Sequence, residues 1–183
     1  ICNFADHFKC KNIIFTSSIA VYGIGDHEKS EITKTLPSTA YGKSKLESEK
    51  NYIDWSNQNI DGRILTICRP GVVFGPGENG NVTRLIKIIK KKLFFYMGNK
   101  DLRKAGIYIK ELINTMIWVN QKQLSKDFSS IELFNASLHP CPKLNDYAKE
   151  ICYQFNISNK FLSIPKRIVI FMLFITSFIT KNL

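Results

Sequence analysis

Apolar positions in this 183-residue chain change period several times, and each change marks a new element. Phe4 and Phe8 sit one helical turn apart, so residues 1 to 11 read as the end of a helix. Asn12-Ile13-Ile14-Phe15 is a short apolar run, and residues 12 to 16 read as a buried strand. The stretch from Gly23 to Thr39 is polar and punctuated by Gly25-Asp26 and Leu36-Pro37, which predicts a loop. Ser38 or Thr39 can cap a helix running to about Asn57, with Leu46, Tyr52, Ile53 and Trp55 supplying apolar contacts. Arg63 to Cys68 is the next strand. Asn81 can cap a helix in which Val82, Leu85, Ile86 and Ile89 keep helical spacing, with Lys87, Lys90 and Lys91 toward solvent. Short strands follow at Leu93 to Tyr96 and Gly106 to Ile109. A helix spans Glu111 to Gln121, with Leu112, Ile113, Met116 and Ile117 on one face, and Ile131 to Asn135 is another strand. Pro142 suits the first turn of a helix carrying Leu144, Tyr147, Ala148, Ile151 and Phe155.

The end of the chain reads differently. Ile168 to Ile179 is a run of mostly apolar residues bracketed by Lys166-Arg167 and Lys181. A membrane span needs about 20 such residues, so a C-terminal helix is expected there, and contact with a membrane is the lesser alternative. Hydrophobic residues make up 44% of the chain, which implies a packed core and excludes a disordered polypeptide. The net charge is +11. Three explanations compete for it: a nucleic-acid or membrane surface, attraction of an anionic nucleotide substrate, or plain compositional bias. Apart from Lys90-Lys91-Lys92 the basic residues are scattered, and no stacking-aromatic pattern accompanies them, which favours bias and argues against nucleic acid. Cys2, Cys10, Cys68, Cys141 and Cys152 show no metal-binding spacing, so no metal is expected. With no secretion signal ahead of the first strand, the thiols are expected to be reduced and the protein cytoplasmic.

Candidate chemistry concentrates in two segments. The predicted strand runs straight into Ser18 in Phe15-Thr16-Ser17-Ser18-Ile19-Ala20-Val21-Tyr22-Gly23, which places that serine at the strand's carboxyl end. Tyr41-Gly42-Lys43-Ser44-Lys45 opens the following helix. A strand's carboxyl end is where open α/β sheets bind ligands. A phenol ordinarily titrates near pH 10, and making one a useful base at neutral pH requires roughly 4 kcal/mol of preferential phenolate stabilisation. A neighbouring ammonium is the direct source, and Lys45 lies one helical turn from Tyr41. Alone, a Tyr-x-x-x-Lys spacing is common and fits an exposed helix face. Here it is joined by Ser18, by Val21-Tyr22-Gly23, and by Arg69-Pro70-Gly71-Val72-Val73-Phe74-Gly75-Pro76-Gly77 after the second strand.

With these four motifs in order, the chain resembles the NAD-dependent epimerase/dehydratase family of the extended short-chain dehydrogenase/reductase superfamily, nucleotide-sugar type. The resemblance implies the C-terminal portion of a Rossmann-type doubly wound parallel sheet plus a small α/β substrate-binding lobe. Residues 1–80 would be the second half of the cofactor domain and 81–183 mainly the lobe, with 107–136 partly returning to the sheet. It implies a Ser18, Tyr41 and Lys45 catalytic triad. Tyr41 would take a proton from a sugar hydroxyl while the nicotinamide takes the hydride, and Lys45 would also hold the nicotinamide ribose. Pro70, Gly71, Val72 and Val73 would pass the nicotinamide carboxamide, and Gly23–Thr39 would lie over the active site. A nucleotide-diphosphate sugar would sit between the lobes, touching Ser18 and Ala20. Asn81 and either Lys104 or Arg103 would meet its phosphates.

Two departures narrow the chemistry that the resemblance implies. Dehydratases of the family carry an acidic pair after the active-site Ser/Thr, where this chain has Ile19 and Ala20, neither of which can move protons. Many epimerases place an asparagine in the loop after the arginine of the later strand, where this chain has Val72. A 4-epimerase or a 4-keto-sugar reductase of surface-polysaccharide biosynthesis remains, with NAD favoured over NADP and a homodimer possible. No Gly-x-Gly-x-x-Gly or Gly-x-x-Gly-x-x-Gly occurs, so a front portion of roughly 90 to 120 residues is expected to be missing and the fragment inactive alone. The competing expectations are a reductase of an apolar hydroxy or keto substrate, and an inactive remnant or binding module.

Overall fold

The computed structural model describes residues 1–25, 27–58, 62–165 and 167–168. Thirteen elements follow one another along it: α1 (Cys2–His7), β1 (Asn12–Thr16), a 3-10 turn (Ile19–Tyr22), α2 (Ala40–Asn57), β2 (Ile64–Pro70), β3 (Val72–Phe74), α3 (Asn81–Lys90), β4 (Tyr96–Met97), β5 (Gly106–Tyr108), α4 (Ile109–Leu124), β6 (Ile131–Ala136), α5 (Leu144–Gln154) and β7 (Ser163–Ile164). They divide into two compact units. The first comprises Ile1–Gly75 and Gly106–Leu138, and the second Pro76–Ala105 with the described residues from His139 on.

The first unit is built on a parallel sheet of order β1-β2-β6. Asn12 lies opposite Ile64 and Thr16 opposite Cys68, while Leu65 pairs Ile131 and Pro70 pairs Ala136. β2 is the middle strand, and every residue from Leu65 to Pro70 is buried. That explains its near-continuous apolar sequence, since a parallel strand covered on both faces has no solvent side to alternate toward. Leu65, Ile67 and Tyr52 form one apolar cluster, and Cys68, Ile107, Leu112 and Ala136 form another. Burial pushes the Cys68 thiol up to about 12, so it is a small core residue and no nucleophile.

β2 continues farther than the sequence pattern predicts, because Gly71 N–H donates to Ala136 O at 2.9 Å and the chain passes at once into β3. β3 pairs in parallel with β5, Val72 opposite Gly106 and Phe74 opposite Tyr108. The Arg-Pro…Gly-Pro-Gly segment, read from sequence as a loop, is therefore held in strand conformation at its centre. Asn12 and Asn120 exchange reciprocal amide bonds at 3.0 and 2.9 Å, which fasten α4 to β1.

The second unit packs α3 against α5 around Ile89, Tyr96, Ala148, Ile151 and Cys152. β4 and β7 pair there in parallel, Tyr96 opposite Ser163. The strand expected over Leu93 to Tyr96 is confined to Tyr96–Met97. α5 starts at Leu144, not at Pro142, with Lys143 as its cap residue, whose N–H is accepted by Asp146 Oδ2 at 2.9 Å. α4 runs longer than its periodic core suggested, from Ile109 to Leu124. No helix among the described residues is long and apolar enough to cross a membrane. The expected C-terminal helix from Ile168 to Ile179 lies outside the described residues except for Ile168.

Candidate active site

Thr39 caps α2, its Oγ1 accepting the Gly42 N–H at 3.0 Å. This resolves the choice between Ser38 and Thr39 and fixes where the helix begins, and so where Tyr41 stands in the first turn. The helix then rests directly on the turn after β1. A Cβ at Gly42 would lie 2.5 Å from Ala20 O, so only glycine allows this approach. Gly23, with φ +73°, ends the turn in the left-handed region.

Ser18 caps that 3-10 turn, its Oγ accepting the Ala20 N–H at 3.2 Å. A hydroxyl has one hydrogen and two lone pairs. Its hydrogen has no acceptor among the described residues, so it is left to donate to an incoming oxygen. Tyr41 is 56% exposed, so its ring is open to solvent. The Lys45 ammonium donates to Thr16 O at 2.8 Å and lies 5.0 Å from the Phe15 ring centroid and 5.8 Å from that of Tyr41. Ser18, Ala20, Tyr41 and Lys45 are therefore assembled where the carboxyl end of β1 meets the first turns of α2. Pro70 ends β2, Gly71 bonds the end of β6, Val72 opens β3, and Val73 packs on the Cys68 cluster. All eight residues belong to the first unit.

Asn81, Arg103 and Lys104 are exposed residues of the second unit. Asn81 does not cap α3. Gly80 holds the cap position, and the Glu78 carboxylate reaches over the first turn to accept the Thr83 N–H at 2.9 Å. The longer glutamate side chain spans a gap that Asn81, already inside the helix, cannot. The Arg103 guanidinium donates to Cys141 O at 2.6 Å, whereas the Lys104 ammonium has no bond among the described residues.

Sequence reasoning passed over the polar groups behind Ser18, Tyr41 and Lys45. Glu49 is 1% exposed and Arg69 5%. Arg69 Nε donates to Glu49 Oε1 at 2.9 Å and Nη2 to Oε2 at 2.6 Å, a two-pronged buried pair. Ser17 Oγ donates to Glu49 Oε1 at 2.5 Å. Arg69 Nη1 donates to Tyr22 Oη at 2.8 Å, and Tyr22 in turn donates to Asn135 Oδ1 at 2.8 Å. Burial works against the guanidinium's charge, but the bonds with Glu49 and Tyr22 outweigh it, and Arg69 is held more firmly protonated than usual. The available signal was Glu49 standing one turn beyond Lys45, on the helix face that carries Tyr41 and Lys45.

The model of the NAD dependent epimerase/dehydratase family matches residues 1–131. The chain belongs to this family. It is 34% identical over 146 residues to the N-acetyl-alpha-D-glucosaminyl-diphospho-ditrans,octacis-undecaprenol 4-epimerase of Escherichia coli O157:H7, a match covering 80% of this chain and 43% of that protein. It is 30% identical over 112 residues to the UDP-glucose 4-epimerase of Vibrio cholerae, covering 58% of this chain and 33% of the relative. The chain thus spans less than half the length of these relatives. Its fold matches the UDP-glucuronic acid 4-epimerase of Bacillus cereus solved in complex with NAD, with a TM-score of 0.74 over 90% of this chain and 53% of the other, at 21% identity. The family expected from the motifs is thereby established, and the Rossmann-type α/β fold with it.

Proposed function

We propose that this chain carries the catalytic portion of an NAD-dependent 4-epimerase that acts on a sugar linked through a diphosphate. The observation that carries the reading is the grouping of the Ser18 hydroxyl, the exposed Tyr41 ring and the Lys45 ammonium at one end of β1. An epimerase is preferred to a keto-sugar reductase because both curated relatives bear 4-epimerase names. Those names share a diphosphate-linked sugar and differ in its carrier, a nucleoside in one and a polyprenol in the other. Function in surface-polysaccharide assembly and a cytoplasmic site belong to the same proposal.

The donor set suits the nicotinamide end of a dinucleotide: an ammonium for the ribose hydroxyls, an exposed phenol beside it, and the backbone of Pro70 to Val73. NAD, when bound, would accept and return the hydride. Tyr41 takes the proton of the sugar's O4 and gives it back. Lys45, fixed by Thr16 O, holds its ammonium 5.8 Å from the centre of the Tyr41 ring, on the side of α2 where the ribose would lie. Ser18 donates its hydrogen to the reacting oxygen and holds it toward Tyr41. Asn81 and Lys104 are assigned to the diphosphate, and Lys104 is preferred to Arg103 because its ammonium is unengaged while Arg103 already serves Cys141 O.

The test uses a polypeptide that contains these residues behind a dinucleotide-binding half, supplied with UDP-glucose, UDP-N-acetylglucosamine or polyprenyl-diphospho-N-acetylglucosamine. Tyr41→Phe should cut turnover about 10²- to 10⁴-fold, the usual range for a lost acid–base group, while bound NAD is retained. Undiminished turnover by Y41F would sink the triad assignment, and the substrate turned over by the native residue identifies the carrier.

A further inference from the structure

The triad accounts for Tyr41, Lys45 and Ser18 but leaves unexplained why a carboxylate and a guanidinium are buried behind them. We propose that Glu49 is a positioning residue, setting how the Ser17–Ser18 strand end is presented to the Tyr41 and Lys45 face of α2. The proposal rests on the functional reading above, but it is argued from contacts that exist without cofactor or substrate.

Tyr41, Lys45 and Glu49 follow one another at intervals of one helical turn, so all three project from one side of α2. The latter two grip consecutive residues of the strand end. Lys45 Nζ takes Thr16 O at 2.8 Å, and Glu49 Oε1 takes Ser17 Oγ at 2.5 Å. The next residue is Ser18. Ser17 is also fixed from the sheet side, where its N–H donates to Cys68 O at 2.7 Å. The strand end is thus clamped between α2 and β2, one residue before the catalytic hydroxyl. A slip of the helix along the sheet would break both grips at once.

Arg69 extends the clamp. It neutralises Glu49 through two bonds and passes a third to Tyr22, the last residue of the turn that Ser18 caps. Tyr22 then reaches Asn135 on β6, and the Asn135 N–H donates to Glu31 Oε1 at 2.7 Å. One polar path therefore joins α2, the strand end, the catalytic turn, β2, β6 and the Gly23–Thr39 loop. Stability alone is a poor reason for it. Replacing a fully buried ion pair with apolar residues of like size is often neutral or stabilising, so such pairs are better suited to holding one geometry than to raising stability. Every buried side-chain polar atom among the described residues finds a partner, and a fully satisfied network rigidifies what it joins.

The test uses this 183-residue chain and reads geometry rather than turnover. The side-chain ammonium of Lys45, assigned by its loss in K45A, is followed by nitrogen-15 NMR, together with the amides of Ser18 and Ala20. In the doubly apolar variant E49L/R69M, which removes both charges together, the chain should still melt cooperatively. Its Lys45 ammonium should exchange with water about tenfold faster, and the Ser18 and Ala20 amides should shift. Should that variant fail to fold, S17A, which removes a single hydroxyl, decides by the same readout. Unchanged Lys45 exchange and unchanged Ser18 and Ala20 shifts in a folded E49L/R69M, or in S17A where the double variant does not fold, would reduce Glu49 to packing and overturn the proposal. Because no turnover is measured, a Y41F variant that remains active would defeat the functional reading and leave this result standing. The converse holds equally.

Discussion

The two units of the chain are stabilised by different means. Ser17, Glu49, Ser56, Thr66, Arg69, Asn120 and Gln123, the buried polar side chains among the described residues, all belong to the first unit. The second unit closes around apolar and aromatic groups, with Phe94, Tyr96 and Phe161 stacked edge to face, and its ion pair Lys143–Asp101 is at the surface. Buried polar groups are tolerated only when fully bonded, and they then fix orientation. Apolar packing sets volume and shape but leaves the choice of partner to the surface. The first unit thus fixes the orientation of α2 against the end of β1. The second unit carries Arg103 and Lys104 exposed on an apolar core.

The sharpest way to break this comparison is to remove one half of the buried pair. Glu49→Ala leaves Arg69 charged and without its counter-ion beneath α2, and should cost about 3 to 5 kcal/mol. Denaturant titration of E49A checks it. A loss below about 1 kcal/mol, the size of a surface pair, would mean that water reaches the site and that the interior is not polar in the sense argued.

Ile89→Ala is the matching change in the second unit, since Ile89 is fully buried between α3 and α5. It should cost about 3 kcal/mol by cavity formation, with little dependence on pH or salt because no charge is involved. Melts at low and high ionic strength test this: a strongly salt-dependent deficit in I89A would show that charges contribute to that core.

Gly42→Ala measures how closely α2 rests on the Ile19–Tyr22 turn. In an ordinary helix interior this substitution gains about 1 kcal/mol. Here the new methyl would meet Ala20 O, a backbone atom, at 2.5 Å. Overpacking of this kind costs about 1 to 3 kcal/mol, so the clash wins and G42A should melt lower than the native chain. A stabilised G42A would mean that the helix can retreat and that Tyr41 is not held by this contact.

What the sequence disclosed follows the same division. β1, α2 and β2 were legible because the apolar run at Ile13 to Phe15, the Thr39 cap and the run from Ile64 to Cys68 are local signals. Ser18, Tyr41 and Lys45 were legible as a spacing, and the helical turn between Tyr41 and Lys45 is itself local. Glu49 was not: a glutamate in a helix reads as solvent-facing, and only the approach of Arg69 from β2 and of Ser17, just beyond β1, makes its burial possible. β3 was missed for a related reason, because Val72 to Phe74 becomes a strand only by pairing with β5, 34 residues later in register. Asn81 misled because it is a good cap residue next to the true cap, and the group that serves the helix end comes from Glu78 upstream.

Glu78 supplies the smallest expected effect and the test of how surface-bound the second unit's polar contacts are. Its carboxyl is held below the ordinary range, chiefly by the Thr83 side chain and further by the N–H groups of Thr83, Gly80 and Val82, with desolvation opposing. A carboxylate at a helix N-terminus is also favoured by the helix dipole. A group whose folded pKa is depressed stabilises at pH values above its unfolded pKa, 4.5 here, and loses that contribution as pH falls through the lower folded value. The native chain should therefore lose more melting temperature than Glu78→Gln when both are taken from pH 7 to below pH 4. At pH 7 the deficit of E78Q should be slight and should shrink with added salt, because the carboxylate faces water. A deficit in E78Q as large as that of I89A, or one that persists at low pH, would mean that this contact is structural in the way the Glu49 pair is, and the contrast between the units would fail at the start of α3.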